Sequence, residues 1–242
     1  MNLNEYIYGK NSCKATLLNN SEVKSAFVSN SFSDKEILSL LTKRRIEVKR
    51  VCLSYMDSLF KGANHQGIAL QIAPYKYASL DKILNNVKGK NDAIFVLLDG
   101  LEDPQNLGAI IRSCDAFKVD AIIIPSSRSV SVTPTVVKVS TGAIEYVPVC
   151  MVTNLNQTIE TLKKNNFWVV ASDGNAKQDY DELDYKMNVA LVVGSEGKGI
   201  SSLVLKNADF ITKIPMFGHV NSLNASVATG IYLAMIQNKR KG

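Results

Sequence analysis

Six apolar runs dominate the later part of the chain: AIFVLLD (93–99), AIIIP (121–125), VPVCMV (147–152), FWVVAS (167–172), VALVVGSE (189–196) and FITKIPM (210–216). Stretches of helical spacing separate them, among them NLGAIIRSCDAF (106–117), the mostly helical TPTVVKVSTGAIEY (133–146), NLNQTIETLKKNN (154–166) and ISSLVLKNA (200–208). Runs this apolar cannot leave one face to water, so each is expected as a strand covered on both sides. A helix between two strands is the crossover that a parallel pair needs. Residues 93–242 are therefore expected to form one α/β domain, a mainly parallel sheet with helices on each face.

A shorter alternation precedes it. Helical spacing at 11–20 is followed by a strand at AFVS (26–29). SDKEILSLLTKRR (33–45) predicts a helix capped by Ser33 or Asp34, with Ile37, Leu40 and Leu41 on one face. IEVKRV (46–51) reads as a strand, 54–61 as a short helix and GIALQIA (67–73) as a strand. Residues 1–73 are thus expected as a small α/β domain. Residues 74–92 are polar, carry lysines, have room for a short helix at 79–87, and are expected as a linker.

Charge separates the two parts. Residues 1–90 hold 14 Lys and Arg against 7 Asp and Glu, whereas residues 91–242 hold 14 against 15. A basic domain beside a neutral one suits a protein that holds a polyanion with the first and acts on it with the second. A solvated basic surface is the plain alternative. Within the basic part, KRRIEVKR (43–50) supplies Lys43, Arg44, Arg45, Lys49 and Arg50 as the main candidates for contact with such a polyanion. Tyr6 and Tyr8 with Lys10 and Lys14 are weaker candidates, because tyrosine in a small domain is more often core.

Several classes are excluded. No apolar run reaches the roughly 18 residues that span a bilayer, and MNLNEYIYGK lacks the apolar stretch of a signal peptide. A cytoplasmic protein is expected, with no membrane partner. Cys13, Cys52, Cys114 and Cys150 show no CxxC spacing and are expected as buried thiols. With only two histidines besides, no metal site is expected.

In open parallel sheets, ligands bind beyond the carboxyl ends of the strands. Three strand ends here carry unusual residues. In DGLEDPQNLGAIIR (99–112), Asp103-Pro104 starts a turn, Asn106 can cap a helix and Gly108 permits close approach. Arg112 follows nearly two turns later among Ile110, Ile111 and Cys114, where a surface arginine is the default. GSEGKGIS (194–201) is neither GxGxxG nor a P-loop, and Glu196 would repel a phosphate. A neutral or cationic adenosine ligand fits it better, and a tight turn into a helix is the plain alternative. IPMFGHVNSLNASVATGIYLAMIQ (214–237) ends in a helix, with Leu223, Val227, Ile231, Ala234 and Met235 near a 3.6-residue period. It begins with more hydrogen-bonding groups than one N-cap needs.

NLGAIIR (106–112), LVVGSEGKGIS (191–201) and IPMFGHVNSLNASVA (214–228) resemble, in order, the three motifs of the SpoU family of RNA ribose 2′-O-methyltransferases, and KVSTGAIEYVPV (138–149) is similar as well. The first domain resembles the ribosomal-protein-like RNA-binding domain that precedes the catalytic domain in some members. IYG (7–9) and HQGIAL (65–70) are similar to the RlmB group, which methylates a guanosine of 23S ribosomal RNA. The resemblance implies a SPOUT fold whose C-terminal part forms a trefoil knot. The knot is implied by the resemblance alone, since chains seldom thread their own loops.

The resemblance further implies a homodimer that binds S-adenosylmethionine against Gly194, Ile214, Met216 and Leu223, with Ser222 and Asn224 tying the knot. It makes Arg112 the group that activates the ribose hydroxyl, with Glu196, Asn106 and Asn224 around it. Free arginine is rarely deprotonated, so Arg112 is expected as a fixed cation, oriented by Glu196 within the chain or across the dimer. His219 is expected as an exposed loop residue. Ribosomal RNA is the favoured substrate. A tRNA methyltransferase of the TrmH kind, a resistance enzyme acting on an adenosine, and a non-catalytic RNA-binding protein are the alternatives. Lack of GxGxxG speaks against a nicotinamide-dependent oxidoreductase.

Overall fold

The computed structural model describes residues 6–18, 22–61 and 64–241, which fall into two units, Met1–Lys76 and Tyr77–Gly242. The first unit runs β1 (Tyr6–Tyr8), α1 (Lys10–Leu18), β2 (Val23–Ser29), α2 (Lys35–Lys43), β3 (Glu47–Val51), α3 (Leu53–Leu59) and β4 (Ile68–Ile72). Its sheet has the order β1-β4-β2-β3, with β2 and β3 parallel and the other pairs antiparallel. The two-residue alternation of the strands divides the core. Ala26, Val28, Ile68 and Leu70 meet Cys13, Leu17, Ile37 and Leu41 of α1 and α2 on one face. Phe27 and Ala69 meet Tyr6, Met56 and Phe60 on the other.

Two alternatives are decided in this unit and one expectation, for Cys52, changes. Asp34, not Ser33, caps α2, its carboxylate accepting from Ile37 N at 3.1 Å. Tyr6 is core: its ring lies edge-on to Phe27 and Phe60, at 5.9 and 5.5 Å between centroids. Cys52 is exposed at the start of α3, whereas Cys13, Cys114 and Cys150 are buried. The Ser54 hydroxyl beside it lowers the Cys52 thiol's pKa, and burial pushes Cys13 up to about 12 and Cys150 up to about 11. Residues 19 and 20, expected as the end of the first helix, lie outside the described residues.

The second unit begins with α4 (Leu80–Asn86), continues through β5 (Ile94–Asp99), α5 (Pro104–Ala116), β6 (Ala121–Pro125), α6 (Pro134–Val139), β7 (Val149–Val152), α7 (Leu155–Lys164) and β8 (Phe167–Ser172), and ends with β9 (Gln178–Asp179), β10 (Asn188–Gly194), α8 (Ser202–Asn207), β11 (Phe210–Lys213) and α9 (Ala225–Lys241). Its seven strands are all parallel, in the order β7-β6-β5-β10-β8-β11-β9. Residues 77–92, expected within the linker, belong here. Ile83 and Val87 of the α4 segment are buried with Phe95, Leu97, Ile123 and Val169 in one cluster, because an apolar stripe one residue in three or four turns them onto the sheet.

On the other side α5 packs against α6 and α9. Gly108 makes the first crossing close: a Cβ there would stand 2.5 Å from Cβ of Val139. Gly108 thus serves the packing of two helices. The last helix starts at Ala225, two residues beyond the expected Leu223, and buries Ala225, Thr229, Tyr232, Leu233 and Ile236. Val227 and Ala234, expected on the buried face, are exposed. Near the chain end the Arg240 guanidinium donates to three carbonyls, Tyr185 O at 2.9 Å, Asp92 O at 2.6 Å and Met187 O at 2.5 Å. Among the described residues no helix is long and apolar enough to cross a membrane, and no cluster of three or more His, Cys, Asp or Glu could hold a metal ion.

Candidate active site

The chain leaves β5 toward β6 and β7 on one side, while β8, β10 and β11 lie on the other. The reversal puts a crevice at the carboxyl ends of β5 and β10, where ligands of parallel sheets bind. Asp99 and Gly194 are paired in register at that edge. The loops that leave them, with the segment after β11, are the three singled out by sequence.

The loop after β10 folds back on itself. Ser195 and Gly199 exchange two backbone hydrogen bonds, of 3.2 and 2.9 Å, and Gly197 and Gly199 have φ of +85° and +64°. A Cβ on Gly194 would lie 2.2 Å from the carbonyl carbon of Gly199. The tight-turn reading of these glycines therefore holds: the backbone that approaches them is their own. Asp99 then fixes the exit of the loop, its Oδ2 accepting from Ser201 N at 2.8 Å.

In the first loop Pro104 sets the opening turn of α5. Asp103 is consequently its N-cap, accepting from Gln105 N at 2.9 Å, and Asn106 lies inside the helix. That frees the Asn106 amide, only 7% exposed, for a different task. Its Nδ2 donates to Glu196 Oε1 at 3.1 Å, and its Oδ1 accepts from Asn224 Nδ2 at 2.9 Å. Asn224 Nδ2 also donates to Glu196 Oε1. The three side chains close a ring across all three loops. At the same time Asn224 caps α9, its Oδ1 accepting from Ser226 N at 2.9 Å and from Ser226 Oγ at 2.6 Å. An asparagine can do both because its amide carries an acceptor and two donors.

The surplus of polar residues before α9 has a further explanation. Among the described residues, no hydrogen bond involves any group of residues 214–223. Ile214 and Leu223 are half-buried, and Met216, Ser222 and His219 are exposed. Ten consecutive residues thus carry peptide groups left to solvent or a ligand. Ser222, expected to help tie the third loop, makes no bond with a described residue; the tie is Asn224 alone.

Arg112 is exposed on α5 and has no hydrogen bond or ion pair among the described residues. Glu196 was expected to orient it. Within the chain that carboxylate instead holds the two asparagines. In the first unit the basic run divides. Lys43 and Arg45 are exposed, the latter with φ of +54°. Arg44 is a structural residue, its Nη1 donating to Leu17 O at 3.0 Å at the end of α1. Lys49 stands 5.7 Å above the Phe27 ring, and Arg50 Nη1 donates to Ser29 O at 3.5 Å. Sequence reasoning passed over Tyr146, 77% exposed, and Phe217, 98% exposed. Both sit in the motifs, and only burial distinguishes them from core aromatics.

Known proteins match this arrangement over its whole length. The profile of the SpoU rRNA Methylase family matches residues 93–234, and that of the RNA 2′-O ribose methyltransferase substrate binding domain matches residues 6–78. A Staphylococcus aureus (strain COL) protein assigned to the TrmH family of tRNA/rRNA methyltransferases is 45% identical over 238 residues, which is 97% of this chain and 96% of that one. Among solved structures, the SpoU methyltransferase AviRb from Streptomyces viridochromogenes, in complex with the cofactor AdoMet, has a TM-score of 0.70 at 23% identity, covering 98% of this chain and 90% of its own. The A. aeolicus TrmH/SpoU tRNA modifying enzyme has a TM-score of 0.58 at 29% identity, but covers 67% of this chain and 82% of its own. With both profiles in sequence order and a relative aligned almost end to end, the chain belongs to the SpoU family of RNA methyltransferases.

Proposed function

We infer that the chain methylates a ribose 2′-OH in structured RNA with S-adenosylmethionine as donor, that a guanosine of 23S ribosomal RNA is the target, and that it works as a cytoplasmic homodimer whose second unit carries a trefoil knot. The observation that carries this reading is the ring of Asn106, Glu196 and Asn224, which joins the three motif loops over one crevice.

The residues present fit the cofactor. Its adenosine needs backbone donors and acceptors and apolar cover, and residues 214–223 offer unpaired peptide groups beside Ile214, Met216 and Leu223. Gly194 and Ser222 complete the set that would hold it. When bound, S-adenosylmethionine supplies a methyl group on a sulfonium, ready for displacement by an oxygen nucleophile. The chain's part is to place that oxygen and carry its charge. Arg112 is an exposed guanidinium with no hydrogen bond or ion pair among the described residues, so its charge is available to the 2′-oxygen or an adjoining phosphate. As a fixed cation it stabilises developing alkoxide. Glu196, Asn106 and Asn224 hold the loops in place, which is the positioning contribution to such a reaction.

Ribosomal RNA is favoured over tRNA by the first unit. The tRNA modifying enzyme aligns with only two-thirds of the chain, whereas the AdoMet-bound rRNA methyltransferase of Sinorhizobium meliloti covers 96% of it at a TM-score of 0.67. The test is transfer of labelled methyl from S-adenosylmethionine to 23S rRNA and tRNA transcripts, followed by mapping of the modified nucleotide. Label on a ribose of 23S RNA is expected. Label on tRNA alone, or on a base, would refute the reading.

A further inference from the structure

An open concavity of about 380 Å³ lies between α5 and the turn after α6, lined by Arg112, Asp115, Thr141, Gly142, Glu145 and Tyr146 among others. Its size suits one nucleoside. The turn is built to present side chains. Thr141 and Gly142 are both left-handed, with φ of +50° and +93°. A β-branched residue there is strained, and such strain persists only where the surroundings impose it. Ala143 and Ile144 are buried, so the 3₁₀ turn Ala143–Glu145 is anchored from beneath. Glu145 and Tyr146 then stand outward, with the Tyr146 ring 77% exposed and in no ring contact with another described residue.

The lining selects its occupant. Asp115 and Glu145 repel a phosphate, so the backbone of an RNA does not belong there. A bare aromatic face accepts a base by stacking. A carboxylate accepts hydrogen bonds only and needs N–H groups opposite it. Guanine is the RNA base with two adjacent N–H donors, N1–H and the N2 amine, on its pairing edge. Adenine and cytosine place an acceptor nitrogen beside their amine, which a carboxylate repels, and uracil has one donor between two acceptors.

We propose that this concavity takes the base of the target nucleotide, turned out of its RNA stack, with Tyr146 stacking on its face and Glu145 accepting from guanine N1–H and N2–H. Arg112, on the α5 wall of the same concavity, is then left for the sugar of that nucleotide. The assignment rests on the function inferred above and adds to it the residues that choose guanosine.

The test compares transcripts of the mapped 23S segment carrying guanosine, inosine or adenosine at the methylated position. Affinity is read by anisotropy and methyl transfer under single turnover. Inosine lacks the N2 amine, so the unaltered protein is expected to lose about tenfold to a hundredfold against guanosine, the worth of a good base contact. Glu145→Gln should shrink that ratio toward one. Tyr146→Ala should raise KM for RNA about tenfold or more, with Tyr146→Trp restoring it and cofactor affinity unchanged. Equal use of guanosine and inosine by the unaltered protein would overturn the proposal. So would a Tyr146→Ala protein with normal RNA affinity, or one whose oligomeric mass changes while its base preference does not. A failure of all methyl transfer by the unaltered protein strikes the functional reading instead, and the anisotropy ratios still judge this one.

Discussion

In the reaction proposed above, Arg112 and Asn224 have different tasks, and substitution separates them. Arg112 is exposed and makes no hydrogen bond or ion pair among the described residues, so its loss should leave the fold and cofactor affinity intact. Arg112→Ala is expected to lower single-turnover methylation by roughly 10²–10³, the scale of one missing oxyanion donor, with Arg112→Lys only partly active because the planar fork is gone. Near-normal turnover of Arg112→Ala on a mapped RNA would remove it from the chemistry. Asn224 both caps α9 and closes the ring. Aspartate caps as well as asparagine, yet it has no N–H for Asn106 and sets a second carboxylate against Glu196. Asn224→Asp should therefore keep a near-native Tm at low ionic demand on the cap but lose activity, and Glu196→Gln added to it should recover part of that loss. If the double variant were no better than the single one, the repulsion argument would fail.

Elements show where sequence suffices and where it does not. The six apolar runs of the second unit are strands because their composition leaves no other burial, and that could be read directly. β1 and β9 could not: three and two residues are too short for a period. The α4 stripe was present in Leu80, Ile83, Leu84 and Val87, but a seven-residue helix in a lysine-bearing stretch resembles a linker. In the site, Asn106, Glu196 and Asn224 were visible as residues, whereas their bonds join positions as far as 118 apart in the chain. The bond from Arg44 to α1 could not be read, because charge is local in sequence and its partner carbonyl is not. The loop after β10 offers the test at this scale. Gly194→Ala would press a Cβ into the Gly199 backbone, which has no rotamer to escape with. A loss of about 1–3 kcal/mol is expected, together with cofactor affinity. Gly197→Ala meets nothing within 4 Å and should cost about 1 kcal/mol for its positive φ alone. Equal effects of the two, compared by denaturant melts, would contradict the close approach.

Across the whole molecule the charge asymmetry sets the strategy. The basic excess lies in residues 1–90, while the catalytic part is near neutral. RNA affinity should fall steeply with salt as counterions are released, while S-adenosylmethionine affinity should hardly change. Substituting exposed Lys43 and Arg45 together by Ala should flatten the salt slope by about two contacts, and substituting Arg44 should instead lower Tm. An unchanged slope would move the RNA surface elsewhere. The ring across the three loops has one more consequence, in time. A ribosome makes this chain from residue 1 onward, and domains fold as they emerge. Asn106 and Glu196 are delivered long before Asn224, which arrives with the final helix. Until then the crevice lacks its third side. The site is thus assembled late in folding, when the last helix docks against α5.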